Sequence, residues 1–106
     1  MNILFVCSRN KWRSRTAETV FRQNGRHNIK SAGTENSARI RITEKLIDWA
    51  DTIFVMEKRH KERITEKFGA RLDHKEIIIL DIPDDYKYMD TELIETLKTS
   101  VLPYLD

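Results

Sequence analysis

Apolar and polar positions along the chain change period several times, and each change marks an element. Asn2 to Val6 is a short, nearly unbroken apolar run ending at Cys7, the pattern of a buried strand. Arg13 to Asn24 places Ala17, Val20 and Phe21 at helical spacing and stops at Gly25. Asn28 to Ala32 reads as a second strand, closed by the turn residues Gly33 and Thr34. Ala38 to Ala50 carries Ile42, Leu46, Ile47 and Trp49, the broad apolar face of a helix. Thr52 to Met56 is apolar and β-branched, a third strand. Glu57 to Phe68 is densely charged with Ile64 and Phe68 on one side, which predicts a surface helix ending at Gly69. Glu76 to Leu80 contains three consecutive isoleucines and predicts a fully buried strand. A loop containing Pro83 runs from Asp81 to Met89. Asp90 is placed to cap a last helix with Leu93, Ile94, Leu97, Val101 and Leu102 as its stripe.

The order is β-α four times over. Strands that are continuously apolar, not alternating, imply a sheet covered on both faces and therefore parallel. The predicted fold class is α/β: a four-stranded parallel sheet flanked by helices, a flavodoxin-like three-layer sandwich. The 106 residues fit one domain spanning 1–106, and no repeat, low-complexity tract or linker divides them. In open sheets of this kind ligands bind outside the carboxyl ends of the strands. Two segments fall there, Cys7 to Arg13 after the first strand and Asp81 to Tyr86 after the fourth.

Composition narrows the function. Hydrophobic residues at 40% and charged residues at 34% exclude a disordered or fibrous chain. No apolar run approaches the ~20 residues that span a bilayer. The stretch Ile3 to Val6 is too short for a signal sequence and has no basic segment before it, so a cytoplasmic location is expected and no membrane partner. The net charge of +2 is far from that of a nucleic-acid binder, which makes nucleic acid an unexpected partner. Its distribution matters more. Arg9, Lys11, Arg13 and Arg15 follow one another with no acid among them, a positive pole that can focus an anion.

Cys7 is the single cysteine, so a disulfide within the chain is excluded. A lone cysteine is either an inert core residue or a reactive thiol, and its neighbours decide. The segment Cys7-Ser8-Arg9-Asn10-Lys11-Trp12-Arg13-Ser14 joins a strand to a helix. Such a loop can turn successive backbone N–H groups inward as an anion nest, and the helix start adds the positive end of its dipole. Arg13 adds a planar fork for two phosphate oxygens. Cys7 then lies at the base of the cradle, where the same positive field favours a thiolate placed for in-line attack on phosphorus.

Cys-x5-Arg-Ser directly after an N-terminal strand resembles the low-molecular-weight protein tyrosine phosphatases, whose pattern is Cys-x-Gly-Asn-x-Cys-Arg-Ser. Cys7, Asn10, Arg13 and Ser14 match it. The resemblance continues in Ser31-Ala32-Gly33-Thr34, in Ala50-Asp51-Thr52-Ile53 leading to Met56, and in the Asp/Pro/Tyr loop before the last helix. It implies a cysteine-dependent phosphatase with Cys7 as nucleophile and Arg13 as phosphate clamp. Ser8, Arg9, Asn10, Lys11, Trp12 and Ser14 would form the phosphate-binding loop. Asn10 would hold that loop in its strained shape and Ser14 would hydrogen-bond the thiolate. A phosphorylated protein or small phosphomonoester is the implied substrate, and no cofactor or metal is called for. Three departures stand out. Arg9 replaces the family's glycine, Trp12 replaces its second cysteine, and the chain is shorter between Thr34 and Ala50.

Expelling the leaving group needs a proton donor. The family uses an Asp before the last helix, where this chain has Asp81, Asp84 and Asp85 around Pro83. Spacing back from Leu93 favours Asp84, and spacing forward from the strand end favours Asp81. Asp85 is a further alternative. These acids are equally the usual residues of a turn. Trp12 is placed either to contact an aromatic substrate or to pack on the first helix, and Tyr86 and Tyr88 either to face it or to cover the last helix. His27, His60 and His74 are scattered and suggest no metal site. Lys58, Arg59, Lys61 and Arg63 alternate with Glu57, Glu62 and Glu66 as a solvated helix face. Two functions remain in view: a phosphomonoester hydrolase acting through a cysteinyl-phosphate, and a catalytically weak or inactive phosphate- or phosphoprotein-binding module that has kept the loop.

Overall fold

Residues 3–6 alternate between two apolar surfaces, and this places a helical layer on each side of the sheet. The computed structural model describes residues 1–23 and 25–105. Strand β1 (Asn2–Cys7) lies between β2 (Asn28–Gly33) and β3 (Thr52–Val55), and β4 (Glu76–Ile79) lies beyond β3. All three pairings are parallel. Ile3, Phe5 and Cys7 point to one face and join Phe54, Ala17 and Phe21 of α1 (Arg13–Arg22) and Leu93, Leu97 and Val101 of α4 (Thr91–Val101). Leu4 and Val6 point to the other and join Ile53, Val55, Ile47 of α2 (Glu44–Trp49) and Ile64 and Phe68 of α3 (Lys58–Phe68). The predicted three-layer α/β sandwich is the fold observed. Among the described residues, no helix is long and apolar enough to cross a membrane.

The strand order β2-β1-β3-β4 reverses direction at β1. Chains leaving β1 and β3 cross to opposite faces, which opens a crevice at their carboxyl ends. Cys7 is the last residue of β1, so the loop that follows it starts in that crevice.

Helix boundaries follow their caps. Asp90 accepts hydrogen bonds from the backbone N–H groups of Glu92 (2.9 Å) and Leu93 (3.2 Å) and starts α4 as expected. Gly69, with φ of 45°, ends α3. The expected end of the first helix at Asn24 lies outside the described residues. Two expectations need correction. The second helix was predicted from Ala38 and starts only at Glu44, after the Thr43 cap. The preceding amides are engaged elsewhere: Glu35 N–H bonds to the Ser8 carbonyl, Arg39 N–H to that of Arg9, and Ile42 N–H to that of Gly33. The strand at Glu76–Ile79 is half-buried and not fully buried, because it is the outer strand and pairs with β3 alone.

Gly33 ends β2 where the segment after Cys7 presses on it. A Cβ there would lie 2.5 Å from the Ser8 carbonyl oxygen and 2.8 Å from the Arg9 carbonyl carbon, both backbone atoms that cannot swing away. Gly33→Ala is therefore expected to destabilise the protein by about 1–3 kcal/mol in urea unfolding. An unchanged midpoint would contradict this packing.

Candidate active site

The loop after β1 is built by turning its carbonyls outward. The carbonyl of Cys7 accepts from Thr34 N–H (3.0 Å), that of Ser8 from Glu35 N–H (2.9 Å) and that of Arg9 from Arg39 N–H (2.9 Å). The carbonyl of Asn10 accepts from Arg39 Nε at 3.1 Å. Peptide planes are trans, so each outward carbonyl turns the following N–H the other way. The amides of residues 8 to 11 thus turn away from the segment that holds those carbonyls. One reaches the Cys7 sulfur: Asn10 N–H lies 3.2 Å from Sγ. The sharp turn needed is taken at Asn10, with φ of 55°, a conformation Asn tolerates better than most residues. Arg9 is not among the residues with positive φ. The glycine it replaces is therefore not required here for backbone freedom, and its side chain points outward to Glu35 at 3.3 Å.

A buried side-chain chain fixes that turn. Glu18 accepts from the Ser31 hydroxyl. Ser31 Oγ accepts from Asn10 Nδ2 at 2.8 Å, and the same amide donates to Ser14 Oγ at 2.7 Å. With its oxygen already accepting, Ser14 has its own proton within reach of two acceptors, the Cys7 sulfur 3.0 Å away and the Ala32 carbonyl oxygen at 3.4 Å. The Asn10 amide thus donates in two directions, through Ser31 towards Glu18 and through Ser14 towards the sulfur, and a Ser14 proton given to the sulfur stabilises negative charge there. Helix α1 adds to this. Its cap residue is Trp12, which supplies no side-chain bond, and no acid stands in its first turn.

Arg13 is 2% exposed, so its charge must be met internally. One Nη donates to Glu57 at 2.5 Å and to the Ile82 carbonyl at 2.9 Å. Its Nε lies 3.6 Å from Asp84. Burial would push the Glu57 carboxyl pKa up, but the hydrogen bonds from Arg13 and Arg59 outweigh it and hold it below the usual value. Glu57, read from sequence as part of a solvated helix face, is thus the partner of a buried arginine.

Cys7, Ser8, Arg9, Lys11, Trp12, Arg13 and Asp84 line one narrow cavity of about 40 Å³. It admits one small group, not a nucleotide. Asn10 and Ser14 lie behind its wall, fully buried. Of the three candidate acids, only Asp84 lines it. Asp81, in a left-handed turn with φ of 56°, borders a separate groove with Lys58, Arg59 and Pro83. Asp85 is exposed and lines neither. Nor do the tyrosines. Tyr88 bonds to Thr19 and lies under the Arg15 guanidinium, 4.4 Å from ring to charge, while Tyr86 packs on the α1–α4 core.

Sequence reasoning missed Glu18, Ser31, Arg39, Glu57 and His60. His60 was read as one of three scattered histidines, yet it is 1% exposed. Its Nδ1 accepts from Glu57 N–H at 3.0 Å in a reciprocal cap at the start of α3, and its Nε2 lies 2.8 Å from Ser8 Oγ. The spacing of Glu57 and His60 is that of a capping pair, the one signal the sequence offered.

No family model matches this chain, and no curated protein matches it in sequence. Solved structures do match in fold. The YwlE arginine phosphatase from Geobacillus stearothermophilus superimposes with a TM-score of 0.77 at 23% identity, over 98% of this chain and 92% of that one. The low-molecular-weight protein tyrosine phosphatase SP-PTP from Streptococcus pyogenes gives 0.79 at 18%, over 98% and 90%. The tyrosine phosphatase Wzb from Escherichia coli K30, solved in complex with phosphate, gives 0.77 at 22%, over 97% and 88%. The chain thus has the fold of these phosphatases along almost its whole length.

Burial, then the charges of Arg13, Arg59 and Arg63 against that of Glu57, push the His60 pKa from 6.5 down to about 4. The unfolded chain therefore binds a proton between those values that the fold excludes. This share of stability is present above pH 6.5 and lost as pH falls towards 4. The thermal midpoint of the wild type should drop across that window, and His60→Asn should flatten the drop. Parallel curves for the two proteins would contradict the assignment.

Proposed function

We propose that this protein hydrolyses phosphomonoesters, with protein phosphotyrosine as the expected class, and that it is a divergent low-molecular-weight protein tyrosine phosphatase. The observation that carries this reading is the meeting of four groups at one small cavity: the Cys7 sulfur, inward backbone amides, the Arg13 guanidinium and the Asp84 carboxyl. The fold neighbours support it, since their names are those of tyrosine and arginine phosphatases and one holds phosphate.

The chemistry follows from the placement. The phosphoryl group sits over Cys7 with its oxygens on the loop amides and on Arg13. The Cys7 thiolate attacks phosphorus, an S–P bond forms, and the ester P–O bond breaks. Asp84 gives its proton to the departing oxygen, so the product leaves as a neutral alcohol or phenol. Water then attacks the cysteinyl-phosphate and passes a proton back to Asp84, the S–P bond breaks, and inorganic phosphate and the Ser14-stabilised thiolate remain. Developing charge on the equatorial oxygens is met by donors already in place, which needs no reorganisation during the step. Glu57 aids by holding Arg13 from behind. Trp12 lines the cavity with the Lys11 ammonium 5.2 Å from its ring centre, and an aromatic residue at the wall favours an aromatic leaving group, as in phosphotyrosine. A module that only binds phosphate would have no use for a carboxyl that lines the same cavity as the sulfur and lies 3.6 Å from the clamp.

Cys7→Ser should lower turnover of p-nitrophenyl phosphate by more than about a thousandfold. Turnover at the wild-type rate in that variant would sink the reading. Asp84→Asn should lower kcat for phosphotyrosine about 10²–10³-fold, while Asp81→Asn and Asp85→Asn stay near wild type. The reverse pattern between Asp84 and Asp81 would move the acid to Asp81.

A further inference from the structure

The hydroxyls around the cavity can be sorted by where their protons go, and one proton has no recipient among the described residues. Ser31 gives its proton to Glu18, and Ser14 has both the sulfur and the Ala32 carbonyl as recipients for its own. Ser8 is different. It is 7% exposed, it lines the cavity beside Cys7, and its oxygen lies 2.8 Å from His60 Nε2.

The direction of that bond is fixed from the far side of the imidazole. Nδ1 of His60 accepts from Glu57 N–H at 3.0 Å, so it carries a lone pair and not a proton. The proton of the neutral ring is therefore on Nε2, and Nε2–H donates to Ser8 Oγ. The opposite tautomer would set Nδ1–H against Glu57 N–H, donor against donor, at the first turn of α3. A second proton on the ring is opposed by its burial and by Arg13, Arg59 and Arg63. Ser8 Oγ thus acts as acceptor towards His60, and its own O–H must donate elsewhere. Among the described residues no acceptor for it is found, and the side of the residue left open is the cavity.

We propose that the Ser8 hydroxyl is an additional donor to a phosphoryl oxygen in the cavity, aimed there by His60 acting as a positioning residue through its Nε2–H tautomer. The inference rests on the reading above that this cavity holds a phosphoryl group. It adds to that reading a side-chain donor and a residue 52 positions away that sets its direction. The loop is thereby tied to the start of α3 twice, by Arg13 to Glu57 and by Ser8 to His60. A hydrogen bond to a charged group contributes enough to alter affinity about 10- to 100-fold.

The test is binding of inorganic phosphate by calorimetry, which needs no turnover and so separates this proposal from the phosphatase reading. A wild-type protein that binds phosphate without hydrolysing any phosphomonoester would end the latter and leave this one testable. Ser8→Ala is expected to weaken phosphate binding about 10- to 100-fold with circular dichroism unchanged. His60→Asn keeps an acceptor at the Nδ1 position and loses the donor at Nε2, and should weaken it similarly. His60→Gln carries a donor to the Nε2 position and should restore most of it. Wild-type affinity in Ser8→Ala overturns the donor role. Wild-type affinity in His60→Asn, or equal weakening in His60→Asn and His60→Gln when both are folded, overturns the positioning role. Independently, nitrogen NMR of the histidine side chain should report the Nε2–H form with and without phosphate, and an Nδ1–H form would overturn the proposal.

Discussion

The site depends on the outward rotation of four consecutive carbonyls, those of Cys7, Ser8, Arg9 and Asn10. Each is held by a donor from the segment between Thr34 and Arg39, and together they turn the intervening amides the other way, that of Asn10 onto the sulfur. Everything else serves that rotation. Gly33 has no side chain because Ser8 and Arg9 press on its position. Asn10 takes the left-handed turn, and its amide is locked by Ser14 and Ser31 so that the turn cannot relax. Between residues 34 and 43 the amides of Thr34, Glu35 and Arg39 serve the loop, while those of Ala38 and Ile42 bond the Glu35 and Gly33 carbonyls. A helix beginning at Ala38 would need the Ile42 amide for its first turn, and that amide bonds the Gly33 carbonyl instead.

Charge is balanced around the same point. A buried guanidinium is tolerable only when its donors are met, and Arg13 is met by Glu57, by the Ile82 carbonyl and by Asp84. Glu57 does two tasks at once, pairing with Arg13 and capping α3. Burial and the neighbouring guanidiniums hold His60 neutral, and the cap directs its remaining proton at Ser8. A substrate phosphate would enter a pocket whose donors are pointed before it arrives, and preorganisation of this kind is the main source of electrostatic catalysis.

Much of this was legible in the sequence, for physical reasons. Unbroken apolar strands announce a sheet covered on both faces, and Gly69 and Asp90 announce helix ends. Cys7 and Arg13 stood out because strand, loop and helix start lay in one local stretch. What stayed hidden was non-local or shared. The partner of Arg13 lies 44 residues away and that of Ser8 lies 52 away, and neither distance leaves a mark on periodicity. Glu57 and His60 sit in a run of alternating charge that reads as solvated surface, and only their cap spacing hints otherwise. Asp81 and Asp84 are alike as turn residues; the left-handed backbone at Asp81, and the placing of Asp81 on a separate groove and of Asp84 on the cavity, are properties of the folded loop.

The central claim is that the Cys7 sulfur receives the phosphoryl group. It is tested most directly in the Asp84→Asn variant, where p-nitrophenol departs without needing an acid while the second step loses its base. Rapid mixing with p-nitrophenyl phosphate, acid quench and peptide mapping should show one equivalent of p-nitrophenol released in a burst, with the phosphoryl group on Cys7. Turnover without a burst, or a phosphoryl group found only on another residue, would contradict the account.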